Sequence, residues 1–265
     1  MTAVAGGSVA PRERLRALLR EKAAGRHEIH PVGIGQRALW FLHQTEPASP
    51  AYNTAFAFRS RSPLDQGVLR RAIEKLVIRH EALRTTFASE AGRPVQHVWG
   101  YREVPLRTHS TGPDRGAVER LVNDAYAEPF DLARGPLARV DLFSSAVDDH
   151  VVLLTLHHAV CDAWSLWILT DELVRCYQGE LTGRVPTLEP VAPYHEFCRR
   201  QTAQLESAAG ERLWRHWQTT LEGVLPPLAL PLDHPRPPVR AERGGTIEFG
   251  LPHSLSRDLR ATAAS

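Results

Sequence analysis

The feature that most constrains this chain is an apolar run that ends in two adjacent histidines. The run HVVLLTL, residues 150–156, is short and rich in branched apolar residues, so it predicts a buried β-strand. His157 and His158 follow it, and the segment AWSLWILTDELVRCYQG from Ala163 predicts a helix that ends at Gly179. The two histidines therefore lie where a buried strand gives way to a loop.

The two histidines are expected to differ in orientation. Neighbouring side chains of a strand point to opposite faces, so His157 shares its face with Thr155 and His158 shares the other face with Leu156. Both cannot face one substrate unless the strand has already ended. One histidine is therefore expected to be structural, and the spacing alone does not say which.

Other kinds of site fit these residues less well. The pattern His-His-x-x-x-Asp lacks the i, i+4 histidine pair of zinc-binding helices, so no metal is expected. Ser165 lacks the Gly-x-Ser-x-Gly context of a hydrolase nucleophile, and Asp162 lies on the same loop as the histidines. Cys161 stays open as a nucleophile, although nearness in sequence does not establish a dyad. Taken alone, the motif favours two buried core histidines.

The rest of the chain predicts alternating helices and strands, and hence an α/β (α+β sandwich) fold with a mixed sheet covered by helices. The predicted elements are a helix from Pro11, a helix over 36–46, a strand over 51–59, a helix capped by Asp65, a hairpin of TTF and VQHVW, a helix near 115–127, and the strands PLARVDLFS and HVVLLTLHH. Proline-rich linkers then flank a long helix from about His195 to Leu221. A strand over 245–251 and a helix from Leu255 follow.

Composition indicates a soluble, globular, cytoplasmic protein. Its 265 residues are 43% hydrophobic and 23% charged, and the net charge of +2 is too small to suggest a nucleic-acid partner. No segment approaches the roughly 18 apolar residues of a membrane span, and the first residues lack a signal-peptide core. The three cysteines fit free thiols. The amphipathic helix from Pro11 is interpreted as a solvated leader, with a docking element as the alternative.

Several longer motifs resemble those of one enzyme family. HHAVCDAWS, from His157, resembles the HHxxxDG motif of the condensation domains of nonribosomal peptide synthetases. GQRALWFLHQTEPASPAYN resembles the opening motif of that family, and RHEALRTTF, from Arg79, resembles its second motif. YHEFCRRQ and LPLDHPRPP are looser matches further along. Their order and rough spacing agree from about His30 to the C-terminus.

This resemblance implies a lobe similar to chloramphenicol acetyltransferase, followed by the beginning of a second, similar lobe. It divides the chain into a leader (1–27), the N-terminal lobe of a condensation domain (28–182), and a linker with the start of the C-terminal lobe (183–265). Family members place the active site in a tunnel between two lobes, and a complete domain is not far short of twice this length. We therefore expect this chain alone to be inactive without the remaining C-terminal lobe.

The activity implied by the resemblance is amide bond formation in antibiotic or other secondary-metabolite biosynthesis. An upstream carrier protein brings an acyl or peptidyl thioester, and a downstream carrier brings an aminoacyl thioester, each on phosphopantetheine. The domain itself needs no cofactor. His158 is implied as the catalytic residue that faces the tunnel, and His157 as structural. Whether His158 acts as a base, positions the amine or stabilises charge stays open.

The resemblance also implies roles for the surrounding residues. Asp162 is expected to form a structural ion pair with an arginine, for which Arg79 is the first choice and Arg84 the second. The motif loop continues through Ala163, Trp164 and Ser165. Ala163 stands where the family usually has glycine, which would cost about 1 kcal/mol or more if the backbone there needs a positive φ.

Two further expectations concern the helix and the function. Trp164 and Trp167 are spaced i, i+3, so at least one is expected in the core. Two other functions compete with condensation. One is a non-catalytic lobe that docks or recruits carrier proteins. The other is an O- or N-acyltransferase that acts on a free acceptor.

Overall fold

The computed structural model describes residues 11–112, 114–226, 228–235, 247 and 249–264. It divides into two units, Met1–Glu222 and Gly223–Ser265. In the second unit a helix, α8 (His253–Ala263), confirms the helix predicted there. The strand predicted over 245–251 falls partly on residues outside the described ranges, namely 245, 246 and 248. The predicted division at residues 27 and 182 stays a prediction.

The first unit contains seven helices, seven strands and one 3₁₀ turn among its described residues. The helices are α1 (Pro11–Ala24), α2 (Ile34–Thr45), α3 (Gln66–Arg79), α4 (Arg115–Ala127), α5 (Ala163–Thr182), α6 (Tyr194–Leu205) and α7 (Ala208–Thr220). The strands are β1 (His27–Pro31), β2 (Asn53–Ser60), β3 (Thr85–Glu90), β4 (Arg93–Trp99), β5 (Leu106–Ser110), β6 (Ala138–Ala146) and β7 (Asp149–His157). The 3₁₀ turn is Glu81–Arg84.

The larger sheet has four strands in the order β2-β7-β6-β5 and confirms the predicted mixed sheet. β5 runs parallel to β6, and the other pairs are antiparallel. Leu154 and Leu156 of β7 share a core with α3 and α5, whereas Leu153 belongs to a smaller core with Ala125 of α4. Both faces of β7 are therefore buried, which explains its nearly continuous apolar sequence.

The smaller sheet has three antiparallel strands in the order β1-β4-β3. The predicted hairpin of β3 and β4 is confirmed, and it turns at Ala91 and Gly92, whose φ angles are +48° and +77°. Two successive positive φ angles suit the right-handed twist of a two-residue hairpin. Phe87 of β3 shares a core with Phe130, Leu137 and Ala159, so this sheet packs beside the histidine motif.

Two predicted helices have different boundaries in the structure. Helix α5 continues past Gly179 to Thr182 and ends at Gly183, whose φ of +68° is the left-handed conformation of a helix C-cap. The long helix predicted from His195 is interrupted, because the hydroxyl of Ser207 accepts the amide of Ala209 (3.1 Å) and begins a new helix. Strands β1 and β5 were not predicted from the sequence. No helix in the described ranges combines the length and the apolar character needed to cross a bilayer.

Candidate active site

The end of strand β7 separates the two histidines. The amide of His157 still donates to the carbonyl of Leu137 (3.0 Å), the residue just before β6, and the His157 residue is only 4% exposed. The amide of His158 donates to the Tyr52 carbonyl (2.8 Å) just before β2, and His158 is exposed to solvent. The expectation that the two side chains have different surroundings is therefore met by the geometry.

The imidazole of His157 is enclosed by aromatic rings. Its Nδ1 accepts a hydrogen bond from the amide of Ala159 (3.1 Å), and the rings of Phe130 and His43 stand edge-on to it at 6.4 Å. Burial, with smaller contributions from His43 and His158, lowers the pKa of His157 to about 4. The ring is therefore neutral at pH 7, and it acts as an acceptor that shapes the loop.

A buried arginine packs against one of the aromatic rings that surround His157. The guanidinium of Arg139 lies 4.1 Å from the Phe130 ring centre and donates to the Ala125 carbonyl at the end of α4 (2.9 Å). A cation over an aromatic face is favourable when both are shielded from water. Phe130 is thus held between Arg139 and His157, which links α4 to the histidine motif.

The ring of His158 is oriented by the loop that follows it. Its Nδ1 lies 2.7 Å from the Cys161 carbonyl oxygen. Because a carbonyl oxygen can only accept, Nδ1 carries the proton of the neutral ring, and Nε2 is left with a free lone pair. This tautomer can accept a proton or a hydrogen bond from a substrate amine.

The loop itself is held by hydrogen bonds to its polar groups. The His157 carbonyl accepts the Val160 amide (3.0 Å), and the Ala159 carbonyl accepts the side-chain amide of Gln36 from α2 (3.2 Å). Cys161 directs its thiol towards the same His157 carbonyl (3.7 Å). A loop with satisfied polar groups holds His158 in one position.

Nucleophilic and metal sites are not supported by this geometry. Cys161 is buried, and burial raises the pKa of its thiol to about 12, so the sulfur stays protonated and unreactive. The hydroxyl of Ser165 donates to Asp162 (2.6 Å) rather than to a histidine. Across the described ranges, no group of three or more His, Cys, Asp and Glu side chains is arranged to hold a metal ion.

Asp162 caps helix α5 and does not form the predicted arginine pair. Its Oδ1 accepts from the amide (2.7 Å) and the hydroxyl (2.6 Å) of Ser165, and these bonds lower the pKa of the carboxyl. Among the described residues no arginine forms an ion pair with it. Ala163 is already the first helical residue, with no positive φ, so the expected cost of replacing glycine does not arise. The motif loop therefore ends at Asp162.

The two arginines predicted as partners of Asp162 donate hydrogen bonds to other acceptors instead. Arg79 donates through Nε (3.0 Å) and Nη2 (3.1 Å) to the two carboxylate oxygens of Glu172 on α5. The His80 Nε2 lies 2.6 Å from the same carboxylate. Arg84 donates to the Trp99 carbonyl instead. Burial alone would raise the pKa of Glu172, but the hydrogen bonds from Arg79 and His80 lower it.

The tryptophans of α5 were expected in the core, and this prediction was wrong. Trp164 is 73% exposed and Trp167 is 63% exposed, although the Trp167 ring stands edge-on to Phe56 at 6.4 Å. The buried side of α5 is instead formed by Leu166, Leu169, Leu173 and Cys176. Trp164 and Ser165 belong to the first turn of the helix.

A cavity of about 750 Å³ lies beside His158. Its wall is formed by the histidine loop, the start of α2, the end of α3 with the 3₁₀ turn, the inner side of α5, and residues 189–194. Arg79, Arg84 and Asp162, which the sequence assigned to the site, all line it. Such a volume accommodates a small organic group next to the imidazole.

Sequence reasoning missed Gln36 and Glu172. Glu172 did carry a signal, because it falls on the apolar stripe of α5 between Leu169 and Cys176, where a carboxylate requires a partner. Gln36 lies within the opening motif, but nothing in its position indicated the bond to Ala159. A hydrogen bond between residues far apart in the sequence produces no periodic pattern from which it could be predicted.

A family profile described as "Condensation domain" matches residues 27–265. The chain belongs to the condensation-domain family. It is 38% identical over 242 residues to the chondramide synthase of Chondromyces crocatus, which covers 89% of this chain and 6% of that protein. It is 36% identical over 241 residues to a phosphinothricin tripeptide synthetase of Streptomyces viridochromogenes, covering 88% of this chain and 20% of the relative.

Solved condensation domains confirm the chloramphenicol acetyltransferase-like fold. The first condensation domain of the calcium-dependent antibiotic synthetase, in complex with a substrate analogue, superimposes with a TM-score of 0.65 at 25% identity. The match covers 73% of this chain and 47% of that one. An X-domain from teicoplanin biosynthesis, in complex with OxyB, gives a TM-score of 0.72 at 26% identity, covering 84% and 50%. The condensation-domain chain thus spans about half of these structures and a small part of its curated relatives.

Proposed function

We propose that this condensation domain forms an amide bond between an acyl or peptidyl thioester and the amine of an aminoacyl thioester. The observation that carries the proposal is the state of His158. Its Nδ1 is committed to the Cys161 carbonyl (2.7 Å), so the lone pair of Nε2 is available in a ring that lines a cavity of about 750 Å³. An exposed, oriented imidazole of this kind can interact with an attacking amine.

In the proposed reaction the amine nitrogen attacks the thioester carbonyl carbon. The new C–N bond forms, the C–S bond breaks, and the amine loses a proton while the departing sulfur becomes a thiol. His158 Nε2 accepts a hydrogen bond from the amine and can take its proton during the attack. A thioester is already activated, so holding the two reactants together provides much of the acceleration.

The substrates are proposed to arrive on the phosphopantetheine arms of two carrier proteins, one upstream donor and one downstream acceptor. The proposal is supported by the similarity to a linear gramicidin synthase subunit and to a phosphinothricin tripeptide synthetase. The chain would act in the cytoplasm as part of a larger synthetase, beside a C-terminal lobe. His157 supports His158 from the other side of the strand end.

The test is single-turnover transfer followed by intact-protein mass spectrometry. A chain extended to the length of the solved condensation domains is mixed with a donor-loaded and an acceptor-loaded carrier, with the 265-residue chain measured beside it. We expect His158→Ala to lower the transfer rate by about two to four orders of magnitude, the usual contribution of an acid–base group. His216→Ala, on the exposed face of α7, is the matched control and should keep the parent rate. Unchanged transfer in His158→Ala would reject the catalytic role.

A second candidate is recruitment of a partner protein without transfer. The observation that favours it is the high structural similarity to the X-domain, which was solved in complex with OxyB. In that case the chain would bind a partner protein with the same affinity whether residue 158 is histidine or alanine, and no amide product would form. A third possibility, acyl transfer to a free acceptor, would show as product formed with a small amine in the absence of an acceptor carrier.

A further inference from the structure

The segment Glu189–Tyr194, which we call the strap, forms one wall of the cavity beside His158. It lies between α5 and α6, and its residues before Tyr194 belong to no helix or strand. Pro190 and Pro193 stiffen it, because each fixes its own φ and restricts the residue before it. The strap is therefore an extended and relatively rigid wall that depends on side-chain contacts for its position.

One end of the strap is held by Arg79, which donates through Nη2 to the Glu189 carbonyl. In the described part of the chain this is the only hydrogen bond made to the main chain between Val185 and Ala192. The guanidinium is itself oriented by Glu172, whose two carboxylate oxygens accept from it at 3.0 and 3.1 Å. Glu172 thus acts on the strap through Arg79.

The other end of the strap is held by α6. The ring of His195 stacks on His30 of β1 at 3.9 Å, and its Nδ1 lies 3.2 Å from a carboxylate oxygen of Glu81. One turn later, the buried Cys198 lies 3.6 Å from the side-chain oxygen of Gln36, whose nitrogen binds the histidine loop. Both ends of the strap are therefore fixed to the part of the molecule that carries His158.

The two arginines that line the cavity, Arg79 and Arg84, are each already beside a carboxylate. Glu172 is bound by Arg79 and His80. The carboxylate of Glu81 lies 3.5 Å from Arg84 and close to His195. An anionic substrate group would have to disrupt one of these pairs to reach an arginine, which is costly in a partly buried site.

Part of the remaining lining is apolar and exposed, so a ligand can reach it. Ile78 is 64% exposed, Ile168 is 39% exposed and Val191 of the strap is 41% exposed, and all three line the cavity. Exposed apolar side chains that converge on one concave surface next to a reactive group indicate an apolar ligand.

We propose that the strap determines which substrates fit beside His158, and that it selects apolar acyl or side-chain groups over anionic ones. Ala192 and Val191 form the selective surface, and Glu172 is a positioning residue that acts through Arg79. The identity of the ligand as a condensation substrate rests on the proposed function, whereas the selection of apolar groups by the strap is tested separately.

The first experiment measures binding to the 265-residue chain by calorimetry. The probes are pantetheine analogues in which an amide replaces the thioester, carrying an acetyl, a hexanoyl or a carboxypentanoyl group. Hexanoyl should bind more tightly than its charged counterpart. Ala192→Trp should weaken hexanoyl binding by about tenfold or more, the loss expected when two methylene groups can no longer be buried, and change acetyl binding by less than about twofold.

Val185→Trp is the matched control, because Val185 is 90% exposed, precedes the strap and does not line the cavity. It should leave all three affinities unchanged. Three results would each overturn the proposal. The affinities for acetyl and hexanoyl could fall equally in Ala192→Trp, neither affinity could change, or the charged probe could bind the parent chain as tightly as hexanoyl. The absence of hexanoyl binding to the parent chain would also overturn it.

The second experiment tests the positioning role of Glu172 by ¹⁵N NMR relaxation. Glu172→Gln should lower the order parameters of the amides between Val185 and Ala192 to below about 0.6, the range of flexible backbone, while the strands of the larger sheet stay near about 0.85. The preference for hexanoyl over acetyl should fall towards one. Asp171→Asn is the control, since the Asp171 carboxylate binds Arg175 on the exposed face of α5. Lower order parameters throughout the sheet, or an unchanged preference, would show that Glu172 only stabilises the fold.

The two proposals fail in different ways. If His158→Ala keeps transfer but Ala192→Trp still changes the size preference, the proposed function is wrong and the strap inference stands. If His158→Ala loses transfer but no strap variant alters the preference, the strap inference is wrong and the proposed function stands.

Discussion

At the scale of single residues, the two histidines differ in the protons that they can carry. His157 uses Nδ1 as an acceptor for the Ala159 amide, so its remaining proton is on Nε2. His158 uses Nδ1 as a donor to the Cys161 carbonyl, so its lone pair is on Nε2. The same side chain thus shapes a buried loop at one position and offers a free acceptor at the next.

This difference predicts that alanine substitution lowers stability much more at His157 than at His158. His157→Ala removes a buried ring and leaves the Ala159 amide without its acceptor, so it should lower the free energy of unfolding by about 2–4 kcal/mol. His158→Ala, at an exposed position, should change it by less than about 0.5 kcal/mol. Urea denaturation of both variants measures the two values. Similar losses in the two variants would contradict the assignment of separate roles.

At the scale of elements, helix α5 is fixed at its start by a cap and along its length by a partly buried ion pair. At the N-terminus of α5, Asp162 accepts a hydrogen bond from the Ser165 amide. Further along the helix, Glu172 forms an ion pair with Arg79 of α3. The resemblance to the family placed Asp162 and Arg79 in one pair, whereas the structure gives each its own partner. Their contributions to stability should therefore be independent.

Capping predicts a modest and specific effect at Asp162. Asp162→Ala should lower the free energy of unfolding by about 1 kcal/mol, the usual value for losing an N-cap, and Asp162→Asn should cost much less because asparagine caps equally well. The double variant Asp162→Ala, Arg79→Ala should lose the sum of the single losses within about 0.5 kcal/mol. Thermal and urea melts of the parent, the three single variants (Asp162→Ala, Asp162→Asn and Arg79→Ala) and the double variant measure this. A coupling energy of about 1 kcal/mol or more between Asp162 and Arg79 would contradict this and support the ion pair predicted from the sequence.

The elements that could be predicted from sequence are those with a local signal. The buried strand β7, the helix capped by Asp65 and the hairpin at Gly92 each have a periodic pattern or a turn residue, and all three are present. Strand β5 lies at the edge of the sheet and has little apolar alternation. It pairs in parallel with β6, from which helix α4 separates it in the sequence, so no local pattern indicates the pairing. The exposure of Trp164 and the Arg79–Glu172 pair likewise depend on contacts distant in sequence.

At the scale of the whole molecule, the candidate site lies where two sheets meet. The histidine loop leaves the four-stranded sheet, and its residue Ala159 shares a core with Phe87 of the three-stranded sheet. Gln36 of α2 binds the carbonyl of the same residue (3.2 Å). The position of His158 therefore depends on the packing of the whole first unit, and loss of that packing should be visible as a global change.

The buried state of His157 predicts how global stability depends on pH. Burial lowers its pKa to about 4 in the folded protein, compared with roughly 6.5 in the unfolded chain. Between these values the unfolded chain binds more protons than the folded protein, so stability is fully present above about pH 6.5 and is lost as the pH falls. The loss between pH 7.5 and pH 5 should be on the order of 2 kcal/mol from this residue alone. His43, whose pKa burial also lowers, adds to it in the same direction.

The variant His157→Asn isolates this contribution, because its side-chain oxygen can still accept the Ala159 amide but does not titrate in this range. Free energies of unfolding from urea melts at pH 7.5 and pH 5 are compared for the parent protein and the variant. The variant should lose about 2 kcal/mol less than the parent over this interval. His216→Asn, at an exposed histidine, should lose as much as the parent. If His157→Asn and the parent lose the same amount, His157 is protonated as easily in the folded protein as in the unfolded chain, and its neutral, accepting role in the loop is wrong.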